Sequence, residues 1–263
     1  MSFRPVVPVG GIVGWQFLQR TQEHQREALS ASPLMKREAE HFLKEIGNVT
    51  SAEELVADRT LLKVALGAFG LESDLNNRFF VQKILEDGTS AQDALANRLA
   101  DKRYRAFSDA FGFGPGAIQK TSLVTSMEDV VEKYQSQAFE TAIGESDESM
   151  RISLYAQHEL VDIATGEGTD TTKWLNIIGL PPLRTMFETA LGLPRSFASV
   201  DLDKQVEVFR DRFSSATGLS DLSALSDPNA MEKTTHLYLA RAQIASFASQ
   251  QSSAAIALSL LQS

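Results

Sequence analysis

Ala242-Gln-Ile-Ala-Ser-Phe-Ala-Ser-Gln-Gln-Ser-Ser-Ala-Ala-Ile-Ala-Leu-Ser-Leu-Leu-Gln-Ser263 closes the chain, and none of its 22 residues has a charged side chain. Its apolar positions still keep helical spacing. Leu237, Ala240, Ile244, Phe247, Gln251, Ala254, Leu258 and Leu261 follow one another in alternating steps of three and four. That series is a heptad seam with one polar break, at Gln251. An uncharged helix with such a stripe has little reason to stay free in water. It has to lie on its own core, on another helix, or on another copy of the chain.

Upstream of this segment the helical signals continue. A first helix is expected over Gly11 to Leu29. Pro33 suits a first helical turn and opens a helix to about Ile46. Ser51-Ala-Glu-Glu54 is a capping box. A helix from Asp58 to Phe69 stops at Gly70, one from Ser73 to Leu85 at Asp87-Gly88, and Ser90 and Asp101 start helices to Leu99 and Phe111. Gly112-Phe-Gly-Pro-Gly116 is the strongest loop and is expected to be a hinge. Long helices follow near 126–143 and 147–164, then shorter ones over Trp174–Ile178, Leu183–Leu191 and 200–214, and Asp227-Pro228 opens the last. Sustained period-two alternation is missing, as is any Asn-Gly or Asp-Gly pair set between alternating strands.

The expected fold is therefore all-α. Residues 1–30 form an N-terminal helix, 31–111 a first helical module, 112–116 the hinge, 117–226 a second module and 227–263 the C-terminal helix. The two terminal helices are expected to pair as a coiled coil around the middle. A faint echo links the modules: Ala68-Phe-Gly-Leu71 and Ala190-Leu-Gly-Leu193 each end a helix and precede an amphipathic one. Two copies of one module, or simply the habit of helices to end in Gly-Leu, both account for it. The expected core includes Phe42, Leu62, Leu66, Phe69, Phe80, Ile84, Leu95, Phe107, Phe187, Leu191 and Phe209. Phe79, Tyr104 and Phe111 read as packing residues too.

Composition narrows the function. With 263 residues and a net charge of −9, the chain can bury a sizeable core and repels nucleic-acid phosphate. Its 25 lysines and arginines are scattered. The lack of cysteine removes disulfides, thiolate metal sites and cysteine nucleophiles. Pro5, Pro8 and three glycines break the apolar N-terminal stretch, so no secretory leader is expected. No window is apolar enough for a membrane span.

Candidate chemistry is sparse. His24, His41, His158 and His236 form no His-x-x-x-His pair. Glu38, His41 and Glu45 share a helix face, which ordinarily means charge pairing rather than metal. His158-Glu159 reads as a buried or interfacial histidine. Gly114 to Thr121 glances at a phosphate loop, but Gln119 stands where the motif needs glycine and a helix precedes it. Glu145-Ser-Asp-Glu148 sits at a helix start, where carboxylates favour the dipole. No catalytic, cofactor-binding or metal residues are assigned, and no cofactor or small-molecule substrate is expected. Trp15, on a glycine-flanked helix start, reads equally as core or contact.

Two resemblances add to this. Leu55-Val-Ala-Asp-Arg-Thr-Leu-Leu-Lys-Val-Ala-Leu-Gly-Ala-Phe-Gly-Leu71, Leu99-Ala-Asp-Lys-Arg-Tyr-Arg-Ala-Phe-Ser-Asp-Ala-Phe-Gly-Phe113 and Leu180-Pro-Pro-Leu-Arg-Thr-Met-Phe-Glu-Thr-Ala-Leu-Gly-Leu-Pro194 resemble a bacterial family labelled domain of unknown function 1217. So does Asp201-Leu-Asp-Lys-Gln205. That resemblance spans about Pro33 to Leu239 and implies a place among flagellar genes of alphaproteobacteria. It brings no catalytic residues. The C-terminal segment, notably Ala257-Leu-Ser-Leu-Leu261, is similar to a flagellin C-terminus, although the N-terminal helix lacks the flagellin asparagine pattern.

The function expected from residues and resemblance together is a non-enzymatic, flagellum-associated structural or interaction protein. Its interaction residues are Trp15, Leu18, Leu237, Ile244, Phe247, Ala254, Leu258 and Leu261, with partners among flagellar components or its own copies. It would sit in the flagellum or leave through the flagellar export apparatus. The rival readings are a cytoplasmic export chaperone or assembly regulator, and an enzyme of unknown type. Nucleic acid is not an expected partner, and no membrane span is expected.

Overall fold

The computed structural model describes residues 3–261, with side chains described except at 195 and 249–261. Thirteen α-helices and four short 3-10 turns make up its regular structure, and no strand occurs among the described residues. The all-α expectation holds. The chain divides into two compact units, one of Met1–Val6 and Thr21–Ala142, the other of Val7–Arg20 and Ile143–Ser263. The first uses the later part of α1 (Gly11–Ser30), then α2 (Pro33–Glu45), α3 (Ala52–Ala57), α4 (Arg59–Gly67), α5 (Arg78–Asp87), α6 (Leu95–Arg98), α7 (Arg103–Phe111) and nearly all of α8 (Val124–Gly144). The second uses the start of α1 with α9 (Glu148–Thr165), α10 (Asp170–Ile178), α11 (Pro181–Ala190), α12 (Leu202–Thr217) and α13 (Pro228–Leu261).

Capping side chains set the helix starts, each satisfying backbone N–H groups that have no partner inside the helix. Ser51 Oγ accepts from Glu54 N at 3.2 Å, and the Glu54 carboxylate accepts from Thr50 N at 2.7 Å. Asp58 Oδ1 accepts from Thr60 N and Leu61 N at 2.7 and 3.0 Å. Asp147 and Thr169 do the same for α9 and α10. Two expected helices are shorter than their spacing suggests. The stretch from Ser73 is broken: residues 72–74 form a 3-10 turn in which buried Asp74 accepts from Tyr104 Oη at 2.5 Å and Asn77 Nδ2 at 2.7 Å. The stretch from Ser90 becomes helical only at Leu95, because Asn97 donates to the carbonyls of Thr89 and Ala91 and holds those residues in a loop.

The echo at Gly70 and Gly192 is geometric as well as sequential. Both glycines take a left-handed backbone, with φ of 65° and 66°. In each case the following leucine donates five residues back, Leu71 N to Leu66 O at 3.0 Å and Leu193 N to Glu188 O at 2.8 Å. A 3-10 turn and an amphipathic helix come next in both places. The packing recurs too. In the first unit α2 packs on α4, and α3 on both α4 and α5; in the second α9 packs on α11, and α10 on both α11 and α12. The same succession of helices is thus built twice.

Each unit has an aromatic centre. In the first, Phe107 meets Phe69 and Phe111 edge to face, beside Leu62, Leu66, Ile84, Met127 and Val130. In the second, Trp174 stacks on Phe209 at 5.6 Å and meets Phe187 and Phe213 edge-on. Of the expected core, Phe42, Leu62, Leu66, Ile84, Phe107, Phe187, Leu191 and Phe209 are buried, while Phe69, Phe80 and Leu95 are half-buried. Phe79 is a correction. It is 90% exposed, because α5 turns Val81, Ile84 and Leu85 inward instead.

The domain boundary also moves. Gly112–Gly116 lies in the loop between α7 and α8, as expected. It does not divide the modules, since Phe107 and Phe111 before it share one core cluster with Met127, Val130, Val131 and Tyr134 after it. The division falls at Ala142/Ile143, and residues 117–142 belong with the first unit. The N-terminal helix contributes to both units rather than standing alone.

At Gly192 an added Cβ would meet only Arg241 Nη1, at 3.6 Å, so Gly192→Ala isolates backbone strain. It should cost about 1–2 kcal/mol in urea denaturation, whereas Gly47→Ala, with open space around it, should be close to neutral. Asp58 supplies a pH handle. Burial disfavours its charge, but hydrogen bonds from His41, Leu61 N and Thr60 N outweigh that and hold its carboxyl below the usual carboxylate value. Its charge therefore adds stability above the unfolded value of about 4, and that share is lost as pH falls through the lower folded value. Asp58→Ala should cost ~0.5–2 kcal/mol at neutral pH. The gap in melting temperature between wild type and Asp58→Asn should close on acidification.

Candidate interaction surface

α13 begins at Pro228, where Asp227 Oδ1 accepts from Asn229 N at 2.9 Å. Its first three turns face the core of their own unit. Ala230, Met231, Thr234, Thr235, Tyr238 and Leu239 are buried, and they pack on α9, α11 and the 3-10 turn at Leu222–Ser226. Thr234 Oγ1 donates to Ala230 O at 2.9 Å. Burial, and then the carboxylates of Glu148 and Asp147, push the Tyr238 phenol above the ordinary tyrosine range.

Beyond Leu239 the helix leaves the core. Ala240 and Ala242 are half-buried, and the side chains from Gln243 to Ala248 are exposed. Ile244 is 66% and Phe247 55% exposed. At 3.6 residues per turn, the stripe Leu237, Ala240, Ile244, Phe247 lies roughly 150° around the helix from the buried face. The seam legible in the sequence is thus a second face, separate from the one that docks α13. Leu237 is half-buried at its edge. The side chains of Ala254, Leu258 and Leu261 lie outside the described residues.

The N-terminal residues go elsewhere. Trp15 and Leu18, expected at an interface, are 1% and 0% exposed and belong to the core of the second unit. Trp15 adjoins a cavity of about 320 Å³ shared with Gln19, Gln157, Leu225, Met231 and Thr235. The start of α1 does meet α13. Gly11 lies against the Gln243 side chain, whose flexible end would have to shift to admit a Cβ, and its φ of 68° is the feature that favours glycine there. A cavity of about 480 Å³ opens beside this contact, lined by Gly10, Gly11, residues 146–149 and α13 from Ala242 to Phe247. Among the described contacts the stripe does not form a two-helix seam with α1: α13 packs mainly on α11, α9 and the turn before it.

The titratable groups weighed as chemistry hold the fold together. His41 Nε2 lies 2.8 Å from Asp58 Oδ2, tying α2 to the start of α4. Glu38 accepts from Lys63 Nζ and from Tyr134 Oη at 2.5 Å each. Burial and then Glu38 push the Tyr134 phenol far up, so it works as a donor. Glu45 pairs with Lys44. Lys120 donates to the carbonyl of Asp109. His158 is exposed, with its ring edge-on to Tyr155. Asp147 caps α9. Buried Lys173, which its sequence context did not single out, donates to Ala164 O at the end of α9 and to Ser223 Oγ. Among the described residues no group of three metal-ligating side chains converges, and no helix is long and apolar enough to cross a membrane.

The model of the family described as "Protein of unknown function (DUF1217)" matches residues 68–231. The chain belongs to this DUF1217 family. The match runs from the end of α4, just before the left-handed Gly70, into the start of α13, and so covers both copies of that turn. It stops short of the exposed stripe. The fold is similar to the crystal structure of a structural-genomics target from Agrobacterium tumefaciens, with a TM-score of 0.71 and 24% identity over 90% of this chain and 97% of that one. That likeness concerns the fold. No curated protein matches the chain.

The contrast between the two ends of the surface is measurable. Trp15→Ala should destabilise the protein by about 3–5 kcal/mol, as a large buried aromatic does. Phe247→Ala should change stability by less than about 0.5 kcal/mol. Urea unfolding of both variants checks the assignment.

Proposed function

We propose that this protein is a non-enzymatic interaction protein of the bacterial flagellum and acts through the terminal half of α13. The observation that carries the reading is the pair Ile244 and Phe247. They are exposed on a helix that has left its core, within a segment with no charged side chain. An apolar stripe of this kind stabilises an assembly when covered, each Leu or Phe contributing ~1.5–3 kcal/mol on burial. Charges there would be buried or would repel, and their absence suits close packing. The flagellar setting rests on the resemblance of the chain to a family encoded among flagellar genes and of its last residues to a flagellin terminus.

Removal of residues 242–263 tests the reading. The last fully buried residue of α13 is Leu239 among those described, so the truncated protein should keep its helical circular dichroism and melt within a few degrees of the full chain. It should disappear from purified flagella, and motility should fall. A truncation that unfolds the protein, together with a full-length chain absent from flagella, would make the terminal helix an ordinary core element and end the proposal. Recovery of the intact chain only in the cytosol, bound to an export substrate, would favour a chaperone instead.

A further inference from the structure

We propose that the cavity beside Trp15, walled by α1, α9, α13 and the 3-10 turn at Leu222–Ser226, is a binding site for a small uncharged molecule with an apolar body and a carbonyl oxygen. This site is separate from the exposed stripe of α13 and does not depend on the role assigned to that stripe.

The first observation is the cavity itself. It holds about 320 Å³, at the low end of the roughly 300–1,000 Å³ range of small-ligand sites. The residues lining it all belong to the second unit. Trp15, Leu225, Met231 and Thr235 are buried and form its inner wall, while Gln19 and Glu232 are exposed at its rim. An entering molecule meets polar groups first and apolar surface beyond them.

The second observation is a pair of polar atoms in that wall. Trp15 Nε1 and Thr235 Oγ1 are shut off from solvent and have no hydrogen-bond partner. Their side chains are each 1% exposed. The neighbouring buried threonine is satisfied in the way usual for a helix: Thr234 Oγ1 donates to Ala230 O at 2.9 Å. Thr235 makes no such bond. Unpaired buried polar groups lower stability, and a ligand that supplies their partners recovers the loss. Met231 stands one turn before Thr235 on the same face of α13. Its flexible side chain can make way for a ligand oxygen.

The chemistry of the wall sets the class of ligand. An indole N–H only donates, so the ligand brings an acceptor to Trp15; the Thr235 hydroxyl takes either role. Glu232 is the one charged residue among the described residues lining the cavity. A carboxylate or phosphate would meet its negative charge with no lysine or arginine in the wall to offset it. The acceptor is therefore a neutral oxygen, as in an amide or ketone. Val161, Leu225, Pro228 and Met231 suit an apolar body attached to it.

N-acetyl-leucinamide, an uncharged apolar amide, is the probe, added to the full chain. The chain has two tryptophans, so its proton–nitrogen NMR spectrum contains two indole N–H signals. Trp15→Phe assigns them, or Trp174→Phe if the first variant does not fold. The probe, half-saturating at millimolar concentration as a small fragment does, should move the Trp15 signal downfield. The signal of Trp174, which is not among the residues lining the cavity, should stay in place. The melting temperature should rise with probe concentration. N-acetyl-leucine, which differs by its carboxylate, should bind at least several-fold more weakly. Thr235→Val puts a methyl where the unpaired hydroxyl stands. It should weaken binding of the amide about fivefold to tenfold, with the melting temperature of the free protein unchanged or raised. A Trp15 signal that does not move up to the solubility limit of the probe, equal shifts of both tryptophans, or equal binding of the carboxylate would each overturn the proposal. So would a Thr235→Val variant that melts lower than wild type, since the hydroxyl would then have a partner within the fold.

Discussion

Short helices of six to ten residues are not stable in water by themselves, and six of the thirteen helices among the described residues are of that length. What lets them form is the sharp return at Gly70 and again at Gly192. A left-handed residue closes each helix, the next leucine donates five residues back, and the chain turns at once into a 3-10 segment and a new helix. The return brings α3 against both α4 and α5, and α10 against both α11 and α12. Each helix can then bury an apolar face that none could shelter alone. Phe107 and Trp174 fill the centres created in this way.

Polar groups support that arrangement. Asp58 caps α4 and holds His41; Glu38 joins α2, α4 and α8 through Lys63 and Tyr134; Lys173 closes the carbonyl end of α9. A buried lysine or a histidine-aspartate pair in isolation reads as candidate chemistry. Here each partner is a helix end or a neighbouring helix, and the charge is used to satisfy groups that burial would leave unpaired. α13 departs from the pattern: it is long, and among its described residues the buried side chains end at Leu239.

The sequence by itself determined the helical class, most helix starts and most of the core. Those follow from local chemistry: the hydroxyl or carboxylate of Ser51, Asp58 and Asp147 accepts nearby N–H groups, glycine alone takes the left-handed turn cheaply, and Phe42, Leu62 and Phe209 recur at helical spacing. The apolar stripe on the last helix was legible for the same reason. Only the tertiary structure decided which stripe faces what. The spacing of Leu237, Ile244 and Phe247 matches a docking seam, but α13 docks through Met231, Thr235 and Tyr238 on another side, and local periodicity does not rank two faces of one helix. Trp15 is core and Phe79 is exposed because partners distant in sequence supply or fail to supply a covering surface. The unit boundary at Ala142/Ile143 has the same origin: the loop at Gly112–Gly116 breaks the helix, but a loop divides two units only where the side chains before and after it join different cores, and here Phe111 and Met127 join one.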